Sequence, residues 1–171
     1  YPAEMDWFEF KENQESPDEI GQYISSLANI AAIQDISAGY LVWGIRDGDH
    51  SLVGTRFNPD TAKKGNQNLI LWLRAMITPD LDTRFYTIMH EGKQFVLLEV
   101  PKASQSPVRF QGTAYIRLGS AKKPLSDVPG MERKLWQTFT KKEFEEGFAA
   151  TGLDSSALLD QLDYPSYFTL L

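Results

Sequence analysis

The sequence contains no cysteine and only two histidines, His50 and His90. That excludes a disulfide framework, a thiolate metal site and a cysteine nucleophile, and leaves too few imidazoles for an ordinary zinc centre. No apolar run approaches the roughly 20 residues that a membrane-spanning helix needs. The start, Tyr1-Pro2-Ala3-Glu4, is not a basic secretory leader. A cytoplasmic chain without membrane contact is therefore expected. There is also no Gly-rich loop ending in Lys-Ser or Lys-Thr, no G-x-G-x-x-G, no G-x-S-x-G and no H-E-x-x-H. Nucleotide hydrolysis, hydride transfer and the common hydrolase routes have no support.

What is present suits one packed domain. The 171 residues are 42% hydrophobic and 23% charged, with Phe 10, Tyr 7 and Trp 4, too aromatic for disorder. The net charge of −6 argues against a polyanionic partner, but the charge is unevenly spread. Residues 100–126 hold Lys102, Arg109, Arg117, Lys122 and Lys123 with no Asp or Glu, whereas residues 127–171 carry eight acids against four bases. Such a stretch reads either as an anion-binding face or as plain solvated surface.

Trp7 to Lys11 alternates apolar and charged side chains, the period of a half-buried strand with Glu9 and Lys11 on one face and the other face inward. Ser16-Pro17-Asp18-Glu19 is a capping box opening a helix whose buried face is Ile20, Tyr23, Ile24, Leu27, Ala28 and Ala31. A hairpin of residues 40–45 with 52–57 is expected around Asp47-Gly48-Asp49. A second helix should cover 66–77, ended by Thr78-Pro79. Strand pairs follow at 85–89 with 95–100 and at 108–111 with 113–118, turning at Glu91-Gly92 and Gly112. Trp43 reads as core, Trp72 and Trp136 as helical apolar faces, and Asn29 as a backbone partner at its helix end. The fold class is α+β: a mixed sheet with two packed helices, residues 1–126. Residues 127–171 form a helical C-terminal appendage, or the start of a linker to a following domain, with helices at 131–139, 141–150 and 155–162.

Among the remaining polar residues, Glu4, Glu9 and Asp47 lie near strand ends, where neighbouring strands bring carboxylates together. Such oxygens would hold Mg²⁺ or Mn²⁺, with Lys11 neutralising charge that develops on a phosphate. The plainer alternative has Glu9 paired with Lys11 and Asp47 starting a turn.

The order of these segments carries a resemblance. Glu4, Glu9-Phe10-Lys11-Glu12, the helix with Leu27-Ala28-Asn29, the strand Tyr40 to Asp47, Leu52-Val53-Gly54, and Ala114-Tyr115-Ile116-Arg117-Leu118-Gly119-Ser120 together resemble the Schlafen-type AlbA-like domain across residues 4–125. Ser37-Ala38-Gly39 stands where the family usually has paired glycines. The resemblance implies a DNA- or RNA-binding module at the head of a bacterial transcription-regulator-like protein, needing no cofactor. The basic residues Lys102, Arg109, Arg117, Lys122 and Lys123 would then touch phosphates. Some eukaryotic relatives are metal-dependent ribonucleases, and Glu4, Glu9 and Asp47 match their acids, so a nuclease using Mg²⁺ or Mn²⁺ is the second reading. A third is an interaction module docking a partner, or another copy, through the C-terminal helices and Tyr164 to Leu171.

Overall fold

In a computed structural model the described residues are 6–13, 16–46 and 48–146, with side chains described through 140. Along the chain they form β1 (Phe8–Lys11), α1 (Pro17–Ile33), β2 (Ala38–Trp43), β3 (Lys63–Lys64), β4 (Gln67–Asn68), α2 (Leu69–Met76), β5 (Ile77–Thr78), β6 (Arg84–His90), β7 (Lys93–Pro101), β8 (Arg109–Phe110), β9 (Thr113–Leu118), β10 (Ala121–Pro124), a 3-10 turn (Leu125–Asp127) and α3 (Pro129–Glu146). Packing divides the chain into Tyr1–Thr140 and Lys141–Leu171.

The α+β class holds, with two four-stranded sheets instead of one. The first has the order β1-β2-β7-β6 and the second β10-β9-β8-β5. β1 and β2 are parallel, in the register Phe8↔Tyr40 to Lys11↔Trp43, so the connection between them must cross over, and α1 is that crossover. β2 meets antiparallel β7 on its other side. With both its edges taken, β2 cannot form the expected hairpin with residues 52–57. That segment contributes a single bridge, Ile45↔Leu52, before Phe57 turns into the core against Trp43, ring centroids 4.7 Å apart. The hairpins β6–β7 and β8–β9 form as expected. Gln111 and Gly112 turn the second with φ of 48° and 81°, the left-handed values of a tight two-residue turn.

The helix α1 touches strands of both sheets, β2 and β7 on one side and β8, β9 and β10 on the other. That explains why it is buried beyond its predicted apolar face. Ser25, Ser26 and Asn29 are all inaccessible and are satisfied there. Ser25 Oγ donates to Val108 O (2.7 Å) and accepts from Tyr115 N (2.9 Å). Asn29 bonds backbone, though not at its own helix end. Its amide donates to Val108 O and Tyr115 O, both at 2.9 Å, and its carbonyl accepts from Val108 N at 2.8 Å. These two residues, one helical turn apart, hold the β8–β9 strands on α1. Gly21 lets Phe110 in: a Cβ there would lie 2.2 Å from the ring. Ser16 and Pro17 sit where the capping box puts them, but the Ser16 side chain makes no cap bond. α2 is capped by Asn68, which accepts from Ile70 N and Leu71 N.

Helix α3 runs unbroken through Thr140, where two helices were expected, with the Thr138 and Thr140 hydroxyls donating to the carbonyls of Lys134 and Trp136. Its Leu135 and Phe139 join the core with Ile116 and Leu125, while Trp136 stays 43% exposed. The helix expected at 155–162 and the aromatic run 164–168 lie outside the described residues. Among the described residues no helix is long and apolar enough to cross a membrane.

Candidate nucleic-acid interface

Each sheet has one edge strand beside the first turns of α1: β1 for the first sheet and β10 for the second. Side chains from both converge on Tyr23 of α1. Alternation does put Glu9 and Lys11 on one face of β1, but that face points inward, toward Tyr23, because the second sheet covers it. Glu9 is only 4% exposed. One of its oxygens accepts from Lys11 Nζ (2.6 Å) and from the Tyr23 hydroxyl (2.9 Å). The other accepts from Arg117 Nη1. Burial alone would raise the Glu9 carboxyl, yet the Lys11 hydrogen bond and the Arg117 and Lys11 charges outweigh it and hold the group below its ordinary 4.5. Burial works against the Lys11 ammonium too, and the bond and charge of Glu9 overcome it, so that group lies above its usual value. Tyr23 is raised by burial and by the Glu9 charge.

Arg117 is completely buried, so it offers nothing directly to a phosphate in solvent. Besides Glu9 it donates to Gly119 O through Nε (3.3 Å) and Nη2 (3.1 Å), and Gly119 N in turn donates to Asp6 Oδ1 (2.8 Å). This fixes the turn from β9 into β10. Gly119 has φ of 60°, as the first position of a two-residue II′ turn requires, and the turn sets Lys122 opposite Arg117 and Lys123 opposite Ile116. The two lysines therefore face opposite ways. Lys123 is exposed. Lys122 turns inward and lays its Nζ over the Tyr23 ring, 3.7 Å from the centroid. Lys11 Nζ and Arg117 Cζ lie 5.2 Å and 5.9 Å from the same ring. Three cations thus surround one phenol and one carboxylate that already accepts three donors. Burial lowers Lys122 to about 8, with the neighbouring Lys11 and Arg117 adding to the effect against the opposing charges of Glu19 and Glu9.

The other predicted contacts are dispersed. Arg109 is exposed on β8, two strands from β10. Lys102 pairs with Asp35 (2.6 Å) at the far end of α1. Glu4 and Asp47 lie outside the described residues. For a divalent ion, Glu9 does not fit: both of its oxygens already receive cationic donors, and an added cation would sit against Lys11 and Arg117. Beyond the end of β1 a polar cleft of about 550 Å³ opens between Asn13, Thr55, Arg56 and Lys93.

Reading the sequence missed Tyr23 as a site residue, β10 as a strand and the inward turn of Lys122. The spacing held a signal: Gly119-Ser120 between Arg117 and Lys122 is a hairpin turn that pairs the two cations.

A known protein of similar fold is DIP2311 of Corynebacterium diphtheriae, at TM-score 0.50 and 18% identity over 84% of this chain and 25% of that one. The chain therefore spans about a quarter of that protein. The N-terminal domain of a RecG-related protein from Nitrosomonas europaea matches at TM-score 0.44 and 20% identity, over 70% of this chain and 83% of that domain. No curated protein matches the sequence. The profile of one family covers residues 4–126, which include both sheets, α1 and the cation-lined seam between β1 and β10: the chain belongs to the Schlafen, AlbA_2 family.

Proposed function

We propose that this domain binds DNA or RNA along the seam between β1 and β10, as the nucleic-acid module of a transcription-regulator-like protein. The carrying observation is the gathering of Lys11, Arg117 and Lys122 on Tyr23 in a chain of net charge −6, with Lys123 exposed on the other face of β10. Concentrating positive charge against an acidic background costs self-repulsion, which a polyanion relieves by counterion release. Family membership supports the same reading at the level of nucleic-acid association. Lys123 on the outer face of β10 and Arg109 two strands away supply phosphate contacts where the bound polymer extends past the seam, and Arg117 acts from beneath by holding the β9–β10 turn. The test is fluorescence anisotropy of labelled single-stranded RNA, single-stranded DNA and duplex DNA against the protein. Lys123→Glu and Arg109→Glu should weaken binding uniformly across sequences, as loss of phosphate contacts does.

The ribonuclease reading gains no support from Glu9, whose oxygens are occupied by Lys11, Tyr23 and Arg117. A docking reading through α3 would use Trp136, which stands 43% exposed on that helix, to meet a second copy. Sizing of the Trp136→Lys variant against the parent checks it, since a docking role predicts a smaller assembly.

A further inference from the structure

The Lys122 ammonium is buried and has no hydrogen-bond acceptor, an exception shared among the described residues only with the Ser51 hydroxyl. A buried polar group without a partner is costly, and a buried ammonium more so. The face of Tyr23 offsets part of that cost, but a ring face satisfies none of the three N–H donors in the way an oxygen would. The neighbours do not supply the missing acceptor. Glu9 on β1 already accepts from Lys11, Tyr23 and Arg117 and makes no bond to Lys122, while Lys11 beside it and Arg117 on β9 repel Lys122. Glu19 on α1 attracts it as a charge. Tyr23, also on α1, offers its ring, and its hydroxyl proton goes to Glu9.

Position then matters. β10 is the edge strand of its sheet, and Lys122 as a whole is half-buried although its ammonium is covered, so part of its side chain already reaches the surface. We propose that Lys122 is a reserve cation, which leaves the Tyr23 ring and pairs with a backbone phosphate of a nucleic-acid strand lying along the seam between β1 and β10. This rests on the nucleic-acid reading above and adds to it a mode of binding. The phosphate provides the acceptor that the folded chain withholds, and the vacated ring becomes open to a base.

The chemistry has a thermodynamic signature. Held at about 8 by burial, Lys122 is near half-protonated at pH 8 in the free protein. Paired with a phosphate in water it returns toward the ordinary 10.5 and is fully charged. Binding at pH 8 therefore takes up protons, and at pH 6, where Lys122 is already charged, it does not.

The experiment is isothermal titration calorimetry of oligouridine and of duplex DNA into the whole chain, in Tris and in HEPES, at pH 6 and pH 8. The two buffers differ in ionisation enthalpy, so the difference in observed heat counts protons. The expected result at pH 8 is an uptake approaching half a proton for each Lys122 engaged, falling to none at pH 6. Lys122→Arg should bind with no uptake at either pH, because guanidinium stays charged. Lys122→Gln should bind several-fold more weakly at pH 7, with a salt slope smaller by about one. Binding with no uptake in the wild type, or with uptake that survives in Lys122→Arg, overturns the reserve role and leaves nucleic-acid binding standing. No binding of either probe at low salt and pH 6 overturns both.

Discussion

Glu9 on β1 and Arg117 on β9, 108 positions apart in the chain, form a buried ion pair that fastens the first sheet to the second across Tyr23. Removing Glu9 leaves the Arg117 charge in the interior without a carboxylate, and removing Arg117 leaves the buried Glu9 with Lys11 as its one cationic partner. Glu9→Gln and Arg117→Met are each expected to destabilise by about 3–5 kcal/mol in urea unfolding. Their combination should cost less than the sum, since Lys11 is then the one member of the cluster that has lost its partner charge. The pair also sets an acid limit. The lowered carboxyl of Glu9 contributes stability that is complete above its unfolded value of 4.5 and is lost as pH falls through its folded value. The fall in stability below pH 4.5 should be shallower in Glu9→Gln than in wild type.

Asn29 should be a similar keystone without charge. Its three bonds, to Val108 N, Val108 O and Tyr115 O, join α1 to the second sheet. Asn29→Ala would take the side-chain partner from the Val108 amide and the Tyr115 carbonyl, while Val108 O keeps Ser25 Oγ, at a cost of roughly 1–3 kcal/mol for each group left unmatched that water fails to reach. Hydrogen exchange is the direct measurement, and the Val108 amide should lose protection more than amides of the β6–β7 hairpin.

For Lys122 the slope has the same sign as for Glu9, since both folded values are lowered, but here burial makes the charged form the costly one. Its folded value of about 8 lies below the ordinary 10.5, so between those values the unfolded chain holds more protons and stability rises with pH. Thermal melting of the wild type from pH 8 to pH 10 should gain stability relative to Lys122→Met over the same interval. At pH 7, where the wild type carries the buried charge, the variant should be the more stable protein. Parallel curves for the two would contradict the burial of this ammonium.

How much of this was legible beforehand depends on the range of the signal. The hairpins at Glu91-Gly92 and Gln111-Gly112 and the start of α1 at Ser16-Pro17 are local chemistry, and they stand where that chemistry puts them. The 40–45 hairpin failed because the neighbours of β2 come from far along the chain, β1 before it and β7 after it, and no local pattern records a parallel partner. Alternation placed Glu9 and Lys11 on one face without saying which face is covered. For a single sheet the charged face would meet water, whereas here a second sheet lies across α1 and buries it. Lys122 and Lys123 look equivalent as adjacent letters, and only the pleat of β10 separates the inward one from the exposed one.

The most direct measurement of the central claim is the salt dependence of binding. Anisotropy titrations of single-stranded RNA and of duplex DNA between about 50 and 200 mM salt should give a linear fall of log K with log salt on at least one of them. Lys123→Glu should lower both the affinity and the magnitude of the slope, whatever the base sequence. Binding independent of salt, a Lys123→Glu variant indistinguishable from wild type, or no binding to any of these polymers at about 50 mM salt would contradict the assignment of the β1–β10 seam as a nucleic-acid interface.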